Sequence, residues 1–138
     1  MSLKNAQTIV RDAETKEGLI KTLGIRFTRF DPDHVVATMP VTPLVHQLRG
    51  LLHGGASVAL AETVASVGGR LSCTDSQVVF GMEINANHLK SITTGMVTAT
   101  GIPLHRGRKT HVWEIKIRDE KDRLICVSRC TLAIVEKS

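Results

Sequence analysis

One carboxylate stands inside an otherwise apolar stretch: Glu62, in the run HQLRGLLHGGASVALAETVASVGGR at residues 46–70. His53-Gly54-Gly55 precedes the apolar residues Ala56, Val58, Ala59, Leu60, Ala61, Val64, Ala65 and Val67, and Ser66 lies one helical turn beyond Glu62. Carboxylates are almost never fully buried without a partner. Glu62 is therefore either held by a cation or a backbone cap, or kept for chemistry as a base or nucleophile. The glycines supply a complement. Backbone N–H groups in the first turn of a helix lack an intrahelical acceptor, and the helix dipole favours negative charge there. A glycine N–H can approach a developing oxyanion with no Cβ in the way. His53 in this position also serves as a plain cap, and Ser66 as a plain packing residue.

The elements that must position these groups follow from periodicity. The apolar residues after Gly55 fall on every side of a helix, which marks it as buried on most sides. Residues 3–23 repeat Ile9, Val10, Leu19, Ile20 and Leu23 at helical intervals, with Gly18 allowing a division into two short helices and Gly24 as a C-cap. Residues 25–30 and 35–41 are β-type runs joined by Asp31-Pro32-Asp33, a hairpin, after which Pro40 and Pro43 are expected to stop the sheet. In residues 78–90 the alternation puts Phe80, Met82 and Ile84 on one side and Glu83, Asn85 and Asn87 on the other. Residues 96–104, 111–118 and 123–135 continue a meander of three or four strands, with Trp113, Ile115 and Ile117 inward and Glu114 and Lys116 outward. A single antiparallel sheet has one face to bury, and one long helix is available to cover it. The expected class is α+β: an antiparallel sheet of five to six strands curled around one central helix. Residues 1–23 form an N-terminal helical segment and 24–138 the main body of a single domain.

Composition narrows the partners. Net charge is +5, but aromatic residues are 3% of the chain with no Tyr, and no dense Lys/Arg cluster occurs, so nucleic acid is excluded. Six His and three Cys show no ligand spacing, so no metal is expected. The cysteines Cys73, Cys126 and Cys130 follow no redox spacing, which implies a reduced, cytoplasmic protein. The first residues carry charges where a signal peptide needs an apolar core. Residues 51–71 are long enough to span a membrane but contain His53, Glu62 and Arg70, which excludes that reading.

HGG opening the buried helix, a glutamate eight residues past its first glycine, and the segments GLLHGGASVALAE, EINANHL and PLHRG together resemble the hotdog-fold acyl-CoA thioesterases over residues 24–136. The likeness is to the branch that contains the 1,4-dihydroxy-2-naphthoyl-CoA and enterobactin-pathway proofreading thioesterases. Gln47-Leu48-Arg49-Gly50 stands where that branch usually has a Gln-Pro-Phe-Gly type of segment. The resemblance implies a hotdog fold and hydrolysis of an aromatic or modest-sized acyl-CoA. It implies that Glu62 attacks the thioester or activates water, that the Gly54 N–H receives the oxyanion with Gly55 beside it, and that Gln47 polarises or orients the carbonyl. It further implies that Ser66 holds the water or the glutamate, that His53 supports the loop, and that His88, Lys90 and Arg106 receive coenzyme A phosphates. No cofactor is expected, coenzyme A being part of the substrate. Glu62 lies about 12 Å along an ideal helix from Gly54, too far for both to touch one carbonyl. The resemblance resolves this with two subunits sharing each site, in a homodimer paired through the strand at residues 78–90 and then a dimer of dimers. A non-catalytic acyl-CoA sensor is the alternative. The fold's hydratase variants would need a different His/Asp pairing after the helix start, which this sequence lacks.

Overall fold

The computed structural model describes residues 3–138. The N-terminal segment forms α1 (Leu3–Thr15) and α2 (Leu19–Thr22). Gly24 ends it in the left-handed region, φ 70°, its N–H bonded to Lys21 O. Ala6 and Val10 of α1 are buried, and the Glu14 carboxylate accepts the Phe27 N–H at 2.8 Å, fastening the helix to the first strand.

Strands β1 (Arg26–Asp31) and β2 (His34–Val41) form the expected hairpin. Pro40 lies within β2 rather than beyond it, opposite Met96. Its register falls outside the β1 pairing, which ends at Arg26 opposite Thr38, and its ring lies against Gly24. A single turn of 3-10 helix (Pro43–Val45) then leads through a tight loop to α3 (Gly54–Leu71). Strands β3 (Gln77–His88), β4 (Gly95–Arg106), β5 (Thr110–Arg118) and β6 (Leu124–Glu136) complete a six-stranded antiparallel sheet in the order β1-β2-β4-β5-β6-β3. Only β4, β5 and β6 form a meander. β3 does not pair with β4 as simple succession would have it, but lies at the far edge beside β6. The sheet wraps α3, as the sequence implies.

Leu60, Ala61, Val64, Ala65 and Val67 of α3 pack with Val35, Ala37, Met39, Val97, Trp113, Ile115 and Ile117 in one core. Burying a Val or Leu side chain contributes about 1.5–3 kcal/mol relative to leaving it exposed. Small residues set how closely helix and sheet approach: the Trp113 indole lies directly over Gly68, and a Cβ on Gly101 would come within 2.6 Å of Val64. Among the described residues no helix is long and apolar enough to cross a membrane.

One strand departs from the simple alternation. β3 carries a bulge between Gly81 and Glu83: Gly81 pairs with Leu132 and Glu83 with the adjacent Thr131, leaving Met82 as the extra residue. The bulge inverts the alternation midway. Phe80 and Met82 are exposed, at 59% and 62%, whereas Ile84 packs against the core. The three do not share a face.

The β5–β6 turn is built on Asp119. Its Oδ1 accepts the N–H groups of Lys121 (3.0 Å) and Arg123 (2.8 Å), and its Oδ2 accepts the Arg123 guanidinium at 2.7 Å. Burial alone would push this carboxyl up, but the Arg123 side chain and these N–H groups outweigh it and hold it below the usual carboxylate range. A carboxyl depressed in the folded state stabilises above its unfolded pKa, and that stability is lost as pH falls through its folded value. Asp119→Ala is therefore expected to lower the thermal midpoint at pH 7, with the gap from wild type closing in acid. Melting curves against pH check this; a gap constant down to acid would contradict it.

Candidate active site

Each site residue is held by local geometry that its sequence dictates. Gln47 Oε1 accepts the N–H groups of Arg49 and of Leu51 (3.3 Å), and Gly50 turns the loop at φ 77°. The side chain thus closes its own loop, and among the described residues its amide NH₂ has no acceptor. His46 Nε2 bonds Thr93 O at 2.8 Å and ties the loop to the strand side. Leu48, in the segment that departs from the branch, projects fully into solvent.

His53 is the N-cap of α3, its Nδ1 accepting the Gly55 N–H at 2.8 Å. This divides the labour of the two glycines. The Gly55 N–H is spent on the cap, while the Gly54 N–H has no acceptor among the described residues. The His88 ring covers Gly54, and a Cβ there would fall 2.8 Å from His88 Nε2. Gln47, Gly54, His88 and Lys90 line one hollow of about 330 Å³. The free N–H at a helix start, the spare glutamine amide and a lysine are all hydrogen-bond donors. That end of the site suits an oxyanion and other negative charge.

Glu62 and Ser66 lie elsewhere. They open together, with Gly55, onto a groove of about 750 Å³ whose walls are mostly apolar: Val58, Ala59 and Val67 from α3, Val78, Val79 and Phe80 from β3, and Ile9, Leu19 and Ile20 from the N-terminal helices. Glu62 makes no ion pair or hydrogen bond with any described residue. It is neither clamped by arginine nor capped by backbone, the two structural explanations for such a carboxylate. A single chain thus keeps donors in one hollow and carboxylate in another.

Arg106 joins neither. It sits at the end of β4, paired with Asp33 and donating to Ser72 Oγ at 3.2 Å, beside the C-terminal end of α3. The hollow it shares with Arg108 and His111 is thus at the opposite end of the helix from Gly54. Burial, with Arg106 and His105 nearby, pushes the His111 imidazole below its ordinary value, so it is neutral at pH 7.

Two contributions to the groove were not singled out from sequence. One is the wall supplied by α1 and α2. The other is Gly81, outside the groove lining itself but directly against the Glu62 side chain. A glycine inside a strand is itself a sign of a bulge or of close approach, and that sign was present in FGMEIN. The cysteines are not nucleophile candidates: all three are buried free thiols, and burial, with Glu62 and Glu83 adding to it, pushes Cys130 up to about 12. Among the described residues no group of three or more His, Cys, Asp or Glu could hold a metal ion.

Comparison with known proteins identifies the family. Residues 49–126 match the family model described as the thioesterase superfamily. The chain is 50% identical over 120 residues to a 1,4-dihydroxy-2-naphthoyl-CoA hydrolase of Listeria monocytogenes, covering 87% of this chain and 98% of that protein. It is 48% identical over 117 residues to a proofreading thioesterase of Cronobacter turicensis, covering 85% of each. The crystal structure of a thioesterase from Haemophilus influenzae superposes with a TM-score of 0.87 at 41% identity, covering 99% of this chain and 92% of that one.

Proposed function

The chain belongs to the thioesterase superfamily, and from that membership we propose that it hydrolyses an acyl-CoA carrying an aromatic or modest-sized acyl group, at a site completed by two copies of the chain. The observation that carries the reading is a Glu62 carboxylate that lines an apolar groove and has no ion pair or hydrogen bond among the described residues. Apolar walls suit the acyl group, and the donors around Gly54 suit the thioester oxygen. In the reaction, Glu62 takes a proton from a water that Ser66 helps to hold. The hydroxyl oxygen bonds to the thioester carbon while the Gly54 N–H receives charge on the carbonyl oxygen and the Gln47 amide orients it. The carbon–sulfur bond then breaks, the coenzyme A thiolate leaves, and the proton held by Glu62 passes to it. Donors of the Gly54 type are worth about 2.7–4 kcal/mol of barrier.

Pairing through β3 accounts for the separation of donors and carboxylate. β3 is an edge strand and therefore offers unpaired backbone groups; a two-fold pairing there brings one copy's donors towards the other's groove. His88 and Lys90 are assigned to the coenzyme A end. Arg106, occupied by Asp33 within its own chain, reaches phosphate only by exchanging that partner.

The test is thiol release from a panel of acyl-CoA thioesters. Aryl and short-chain acyl-CoAs are expected to be cleaved catalytically and long-chain ones slowly. Tight binding of the panel without thiol release would replace this reading with a ligand sensor.

A further inference from the structure

We propose that Gly81 is a positioning residue for Glu62: β3 carries no side chain there so that the carboxylate can lie against the strand. A Cβ built on Gly81 would fall 2.7 Å from Glu62 Oε2, 3.1 Å from its Cδ and 3.6 Å from its Cγ. Those are its three nearest neighbours, and all belong to Glu62. The backbone does not require glycine at this point, since Gly81 is absent from the residues of positive φ. Nor does packing against the core, because no core side chain is among the atoms a methyl group would meet first. What a side chain at position 81 displaces is the glutamate.

The adjoining bulge serves the same end. Unbroken alternation would put Glu83 on the same face as Gly81, beside Glu62, with two like charges in one groove. The extra residue at Met82 instead turns Ile84 and Ala86 toward the core and sends Glu83 outward, where its carboxylate accepts from Asn85 Nδ2 at 3.0 Å. Gly81 makes room for one carboxylate and the bulge removes the other. Glu62 is thus held by shape, with no polar partner among the described residues to consume its lone pairs.

This inference rests on Glu62 acting in the reaction, so its test separates the two claims. Gly81→Ala is expected to lower kcat roughly ten- to a hundredfold, the scale of a misplaced reacting group. KM should stay within about threefold, and the thermal midpoint and assembled mass should match wild type. Glu62→Asp is itself impaired, but its shorter side chain withdraws from the strand. Adding Gly81→Ala to it is therefore expected to change kcat by less than about threefold, a non-additive result. Wild-type kcat in Gly81→Ala overturns the proposal, as does an equal loss in both backgrounds accompanied by a lower thermal midpoint. Should Glu62→Ala keep full activity, the proposed function falls and this inference with it. An inactive Glu62→Ala beside a fully active Gly81→Ala removes the positioning role alone.

Discussion

Glu62→Ala and Glu62→Gln are expected to lose roughly 10²–10⁴ in kcat, with KM within a few-fold of wild type. Neither change should unfold the protein. The carboxylate makes no hydrogen bond or ion pair with a described residue and faces a groove, so removing it leaves no orphaned charge and opens no cavity in the core. Glutamine keeps the shape and removes only the basicity, which makes the pair informative. Equal losses in both variants identify the proton-accepting oxygen as the essential feature, whereas a loss confined to alanine would point to space-filling. Steady-state thiol release at saturating acyl-CoA measures both. A single turnover in ¹⁸O-water tests the route, because water attack labels the free acid at once. Direct attack by Glu62, with water then cleaving the anhydride at the glutamyl carbon, would yield an unlabelled first product. Retained turnover in both variants would dismiss Glu62 from the reaction.

Two inactive variants are expected to restore activity to each other. Gln47 and Glu62 open onto different hollows of one chain, so a site that needs both must take one from each copy. Unfolding and refolding an equal mixture of Gln47→Ala and Glu62→Ala gives hybrids in which one of the two sites carries both changes and the other carries neither. With random pairing of copies in a two-fold dimer, about a quarter of wild-type activity should return. Each variant refolded alone should remain near its own residual rate. A mixture no more active than the sum of its parts would mean that both residues act within one chain, and the shared-site reading would fail.

The parts of this molecule that were legible from sequence are those encoded by local period. α3 showed in the all-round apolar pattern after Gly55, β5 in the alternation of Trp113, Ile115 and Ile117, and the β1–β2 hairpin in Asp31-Pro32-Asp33. Glu62 was conspicuous because a lone carboxylate among alanines and valines needs a reason. Long-range pairing was not legible. Nothing in residues 77–88 says that the strand joins β6 at the sheet's far edge, because strand order is decided by how the whole sheet closes on the helix. The bulge at Met82 defeated the alternation for a different reason: inserting one residue changes the parity without changing the composition. That Gly54 and Glu62 stand too far apart to meet at one carbonyl within a chain followed from helix rise. The apolar wall from α1 and α2 did not, since it depends on where Glu14 fastens that segment to β1.

Trp113 lies under α3, and with no Tyr in the chain it is the dominant intrinsic fluorophore. Its emission therefore reports the seating of that helix in the sheet almost free of background. Its indole is wholly buried among apolar side chains, so the chromophore emits toward the blue until water reaches it. A red shift during denaturation would thus time the moment the helix lifts away, and a far-ultraviolet signal lost earlier or later would reveal an intermediate that enzyme assays never see.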